Sequence, residues 1–262
     1  MNTIEDVLHK MDEIVLQCKA KKSRIGYFAI LYRQVTKRIK EGIENDEFED
    51  NPRMEKLDIL FATRFFEAYE LHLASASPTQ SWACAFNTST ASGHMILQHL
   101  LLGINAHINL DLGIAAVLTM NGQDMLGIKN DFDKINIILA SMVDGVKANL
   151  SLVSPVFGFL IQFANGKDEM LLDFSIKLAR DGAWKFANEY LIALNQDDCL
   201  HLRDLSIANL GQKIAKPGIL LNFITKLISL TEWKSVPDVM DQLEGIARKC
   251  APNNLRSVHS IS

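Results

Sequence analysis

No stretch of this 262-residue chain alternates polar and apolar residues over more than about four positions, which excludes a half-buried β-sheet. The cysteines are too few and too scattered to pair by pattern. Cys18, Cys84, Cys199 and Cys250 stand far apart with no C-x-x-C between them, which excludes a zinc knuckle and a secreted disulfide framework and leaves reduced thiols as the expectation. Basic charge is not in excess: 27 Lys and Arg face 31 Asp and Glu, so the global field gives no case for a nucleic-acid partner. The opening MNTIEDVLHKMDEI has neither the basic n-region nor the apolar h-region of a signal peptide. The longest nearly apolar stretch, Leu152 to Ala164, is short for a bilayer and is interrupted by Pro155 and Gly158. The expectation is therefore a cytoplasmic protein with no transmembrane segment. There is no internal repeat and no low-complexity tract.

What the chain does have is apolar residues at three- and four-residue spacing almost throughout, in a composition that is 48% hydrophobic and long enough to bury a sizeable core. Ile4, Leu8, Met11, Val15 and Cys18 form one stripe, and Phe28, Leu31, Tyr32, Val35 and Ile39 form a second, which reads as an antiparallel helical pair within residues 1–50. Asn51-Pro52 marks a boundary, after which Met54 to Leu73 reads as a long helix. A short segment, SWACAFNTS, follows the Pro78 loop. Thr90 to Gly93 offers caps for a central helix at about 94–120, closed by Asn121-Gly122. Further helices are expected at Asp131 to Lys147, Leu152 to Ala164, Asp168 to Leu194, Leu200 to Ala215 and Pro217 to Leu230. The fold class is all-α: one multi-helix globular bundle over residues 1–250, with a polar tail at 251–262. Eight basic and no acidic residues lie between Lys19 and Lys40, and six acidic residues follow between Glu41 and Asp50. We read this as a solvated helix face answered by its neighbouring loop rather than a phosphate-binding surface.

The central helix is where polar groups collect. Between MILQHLL and GIAAVL stands GINAHINLDL, so a helix apolar enough to be buried on most sides also carries Gln98, His99, Asn105, His107, Asn109 and Asp111. His99, Gly103, His107 and Asp111 succeed one another every fourth residue on one stripe. Gln98, Asn105, Asn109 and His94 form a second. Residues four apart on a helix have Cβ atoms about 6 Å apart, so His107 and Asp111 can meet one atom together. A carboxylate beside an imidazole fixes its tautomer and raises its pKa, as a general acid–base pair needs. The same two groups can be ligands of a divalent metal such as zinc, with His99 a third candidate. Gly103, at a helix-propensity cost of about 1 kcal/mol, leaves a gap for a backbone, an aromatic ring or a ligand.

Other helices offer further groups. Arg64, Glu67 and His72 lie on TRFFEAYELH, and Arg64 is a catalytic candidate beside His107 and Asp111. Asp131, Asp133 and Asn136, Arg180 and Trp184, and the His201/Asp204 pair are each read first as caps or interhelical bridges, and Trp82 as a core residue.

At these residues the chain resembles an uncharacterised family of mostly bacterial helical proteins known only as a domain of unknown function. The resemblance rests on TRFFEAYELH, SWACAF, ILQHLLLGINAHINLDL, the DF-x-x-IN pattern at Asp131 to Asn136 and AR-x-x-AW at Ala179 to Trp184. It implies an all-helical domain centred on the Gln98 to Asp111 helix and no assigned activity. More loosely, Gly103-x-x-x-His107-x-x-x-Asp111 is similar to the metal-binding helix of the all-α zinc-dependent phospholipase C and nuclease superfamily. That similarity implies metal-ligand roles for His107 and Asp111 alone. Leu112-Gly113-Ile114 stands where that superfamily has a proline and a second histidine.

Two function classes follow. One is a metal-dependent hydrolase with a buried pocket at His107 and Asp111, where Gln98, Asn105 and Asn109 would contact a bound small molecule. The other is a non-enzymatic helical binding or interaction protein in which the same groups are a structural network. Substrate, partner and oligomeric state are not legible in the sequence.

Overall fold

The computed structural model describes residues 1–154, 156, 176–232 and 234–250. The expected tail at 251–262 lies outside the described residues, as do most of the helix expected at 152–164 and the first part of that expected at 168–194. Among the described residues there are eleven α-helices and no strand. They are α1 (Ile4–Ala20), α2 (Ile25–Glu44), α3 (Asn51–Leu73), α4 (Gln80–Thr90), α5 (Ile96–Ala106), α6 (Leu112–Met120), α7 (Lys129–Val153), α8 (Ile176–Ile192), α9 (Gln196–Ala215), α10 (Ile219–Thr231) and α11 (Val236–Cys250). A π-helical turn, His107–Asp111, joins α5 to α6, and a 3-10 turn, Met125–Ile128, leads into α7.

The helix ends follow local chemistry. The Thr3 hydroxyl accepts the Asp6 amide while the Asp6 carboxylate accepts the Asn2 and Thr3 amides, a reciprocal cap that starts α1. Asp50 accepts the Arg53 amide, with Pro52 in the first turn of α3, where its missing N–H costs nothing. Asn121, in the left-handed region at φ 47°, ends α6.

Three expectations need correction. Thr90 to Gly93 does not cap the central helix: α5 begins at Ile96, and the Gln98 side chain turns back to accept the Met95 amide. The helix expected to stop near Lys147 runs on to Val153, because no glycine or proline separates Lys147 from Leu152. The sequence reading also passed over α11, in which Val239, Met240 and Leu243 are buried.

Ile96–Met120 is long and apolar enough to cross a bilayer, but 89% of its most apolar window is buried by the rest of the chain, the position of a core helix. Two apolar clusters form along it. One surrounds α5 with Met11, Phe28, Phe65, Trp82 and Met240, and the other surrounds α6 with Met54, Leu57, Phe132 and Ala183. The π turn lies between them. Two glycines set how closely neighbours approach: a Cβ on Gly103 would fall 2.4 Å from Phe28 Cγ, and one on Gly113 would fall 2.7 Å from Phe186 Cδ1. The gap at Gly103 is thus filled by an aromatic ring.

The basic block on α2 is largely answered within the chain. Arg38 pairs with Glu47, Lys40 with Glu5 and Glu44, and Arg33 with Asp12 and Glu244. Only part of the answer comes from the acidic loop that follows it.

Candidate functional site

The π turn places His107 and Asp111 side by side. The Leu112 amide reaches back five residues to the His107 carbonyl, which leaves one residue more in the turn than an α-helix holds, a distortion that recurs at functional positions. Both side chains are buried, and His107 Nδ1 lies 3.2 Å from Asp111 Oδ2. Burial pushes His107 below its ordinary pKa, opposed by its hydrogen bond to Asp111 and by that charge. The ring is therefore neutral, with its proton on Nδ1 directed at the carboxylate and its lone pair on Nε2. That Nε2 is buried with no hydrogen-bond partner among the described residues.

Asp111 is the hub. Its Oδ2 also accepts the indole N–H of Trp82 on α4 at 2.8 Å, and its Oδ1 lies 3.4 Å from Arg64 Nε on α3. Arg64 is about a quarter exposed and also approaches Glu67, at 3.9 Å. The His107 ring sits in an aromatic box. Phe61 stacks on it at 3.5 Å between centroids, the Tyr32 ring lies at 4.3 Å, and Phe28 meets it edge-on at 5.7 Å. Asp58 on α3 is buried, its Oδ2 has no partner among the described residues, and burial pushes its carboxyl up to about 7.

The second stripe does different work. Gln98 donates to the carbonyls of Ile214 and Ala215, in the last turn of α9, where helix carbonyls lack intrahelical donors. Asn105 donates to the Ile207 carbonyl, Asn109 donates to Asn105, and Arg203 donates to the Asn109 carbonyl. Gln98, Asn105 and Asn109 thus fasten the central helix to α9 and stand apart from the His107–Asp111 pair.

His99, two turns before His107, does not join it. It faces Tyr27 and His94 at centroid distances of 6.0 Å, and neither ring nitrogen has a hydrogen bond of normal geometry. The nearby His94 carbonyl only slightly offsets the burial that pushes its pKa down to about 3. His99 instead lines a narrow crevice of about 10 Å³, room for a single water molecule, whose walls include Arg24, Phe28, Trp82, Phe86, Ser89 and Gly103.

A resident zinc does not fit these residues. Three protein donors already converge on the two oxygens of Asp111, one of them a guanidinium that would repel a cation, and His99 lies at another site. Among the described residues no group of three or more His, Cys, Asp and Glu is placed to hold a metal ion.

The remaining candidates are anchors. Buried Asp131 accepts the Glu49 and Asp50 amides and an Arg53 N–H at the start of α3, and Arg180 donates to the Phe132 carbonyl. Asp204 accepts the Gln80 and Ser81 amides and so caps α4, while His201 is exposed. His72 packs on Phe86, away from the pair. The residue that sequence reasoning undervalued is Trp82. A tryptophan buried beside a helix rich in polar groups needs an acceptor for its N–H, and that requirement was the available signal.

An all-helical domain threaded by a buried helix with a His/Asp centre is the class that this geometry defines. The profile of a family of unknown function, DUF5995, matches residues 4–217, and the chain belongs to that family. No curated protein and no solved structure matches. Nothing in these comparisons links the chain to the zinc-dependent phospholipases.

Proposed function

We propose that this chain is a non-enzymatic helical binding or interaction protein whose His107–Asp111 network is a structural brace. The observation that carries the reading is the convergence on Asp111: donors from α3, from α4 and from its own turn meet at one buried carboxylate. A carboxylate so engaged ties three segments together, with three of its roughly four lone-pair sites facing protein donors.

Urea denaturation of Asp111→Asn, with metal content measured alongside, tests the reading. A marked loss of stability with no change in bound metal is the expected result, and wild-type stability overturns it. A metal-dependent hydrolase draws support only from the unpartnered Nε2 of His107 and from the π turn. Elemental mass spectrometry of protein purified without chelator separates the two, because stoichiometric metal in the wild type that is lost in Asp111→Asn would favour the hydrolase.

A further inference from the structure

Four buried polar atoms on three neighbouring segments have no hydrogen bond of normal geometry among the described residues: the hydroxyls of Tyr32 and Thr36 on α2, Asp58 Oδ2 on α3, and Nε2 of His107 in the π turn. Each of these residues is at most 6% exposed, so bulk solvent does not serve them. Tyr32 is their common neighbour. Its ring lies 4.3 Å from that of His107, and both rings pack on Phe61, three residues after Asp58 on the same helix. Thr36 stands one turn after Tyr32 on α2. Burial, then the charges of Asp58 and Asp111, hold the Tyr32 phenol well above its ordinary pKa against the opposing Thr36 hydroxyl, so a single O–H that stays protonated is within reach of all of them. A buried polar group left dry costs roughly 5- to 150-fold in the folding equilibrium, and four such groups in one region call for a common partner.

We propose that α2, α3 and the π turn enclose a binding site for one water molecule, held by His107 Nε2, Asp58 Oδ2 and the hydroxyls of Tyr32 and Thr36. The donor set selects water. With its proton on Nδ1 toward Asp111, the His107 ring can only accept at Nε2. The two hydroxyls each donate and accept, and Asp58 does either according to its protonation. A water has two protons to give and two to receive, which meets that set in either state of Asp58. An ammonium ion has four protons and no lone pair, so both hydroxyl protons would be left unplaced. The water ties the far side of the imidazole to α2 and α3, while Asp111 holds the near side, and so extends the brace to a further helix. It rests on the brace reading only for the His107 tautomer.

Water-selective NOE spectra of the full chain, joined to urea denaturation of Tyr32→Phe and Thr36→Val, test this. The expected result is a cross-peak from a long-lived water to the His107 ring protons, lost or weakened in Tyr32→Phe. Each variant should lower the folding equilibrium constant by about 10-fold, because it removes one hydrogen bond to the water. The sign is decisive. If the site is dry, each hydroxyl is a buried group without a partner, and deleting it makes the chain more stable. Either variant more stable than the wild type overturns the proposal, as does a wild type with no long-lived water at His107. Cross-peaks to His107 from added isotope-labelled ammonium would overturn it by assigning the site to a cation. Failure of the brace reading shows instead as wild-type stability in Asp111→Asn, which none of these measurements reads.

Discussion

Trp82 donates its indole N–H to the same oxygen of Asp111 that holds the His107 imidazole, at 2.8 Å and 3.2 Å. The shared oxygen couples α4 to the π turn and fixes the imidazole tautomer from outside its own helix. Arg64 on the other oxygen brings in α3. Removing any one partner therefore leaves a buried group short of a donor or an acceptor, where an unmade hydrogen bond costs most.

Asp111→Asn keeps the shape and removes the charge, yet an amide has one oxygen where three donors converge, and its NH2 must face one of them. Urea denaturation should show a loss of about 3 kcal/mol, the scale for breaking a buried charged pair, with the helical spectrum retained. Stability within experimental error of the wild type would refute the account of Asp111 as a hub.

Trp82→Phe tests the same hub from α4. The phenyl ring keeps the packing against Phe65 and Phe86 but is smaller than the indole, so the loss combines the N–H on Asp111 with a small cavity. A destabilisation of about 2 kcal/mol is expected by the same measurement. Because both substitutions act on one oxygen, the double variant with Asp111→Asn should cost less than the two single losses added together.

The all-α class was legible because the three- and four-residue period recurs in nearly every segment. The central helix was legible because Gln98 to Asp111 sets polar groups inside an apolar run. The π turn was not, since an i-to-i+5 hydrogen bond leaves no mark on composition. The cap at Thr90 to Gly93 was misread because Gln98, the third residue of the observed helix, does that work from inside. Helix α11 was passed over, although its Pro237 stands in the first turn, where a proline is compatible with a helix. Grouping His99 with His107 followed from wheel geometry alone. The two share a stripe, but two helical turns separate them, and His99 faces Tyr27 and His94 while His107 faces Phe61, Tyr32 and Phe28.

Gly103→Ala should destabilise the fold although alanine is the better helix former. The gain in propensity is about 1 kcal/mol. Against it, the new methyl would meet Phe28 Cγ, Cδ2 and Cβ at 2.4 to 2.8 Å, and Phe28 is held in turn by Phe65, Trp82 and His107. Overpacking of a confined ring costs about 1 to 3 kcal/mol, so the net change should be a loss. Phe28→Leu in the same chain should recover part of it, and a melting temperature for Gly103→Ala above that of the wild type would contradict the close approach.

The pH dependence of stability should contain two opposing contributions. Burial, aided by the charges of Arg24 and His94, pushes His99 down to about 3, and burial lowers His107 as well. In the unfolded chain both regain the ordinary value of about 6.5, so below that pH the unfolded state binds more protons, and stability present above pH 6.5 is lost on acidification. Asp58 and Glu232 act in reverse. Burial, with a smaller push from Glu55 on Asp58, raises each to about 7. Between about pH 4 and pH 7 the folded chain keeps protons that the unfolded chain has released, so their contribution falls as pH rises through that window. Relative to the wild type, urea midpoints measured from pH 4.5 to 6.5 should therefore slope downward with pH in His99→Phe, which removes an acid-sensitive group. They should slope upward in Asp58→Asn, which removes a carboxyl that prefers to stay protonated. Parallel profiles in all three proteins would mean that neither group has a pKa displaced by burial.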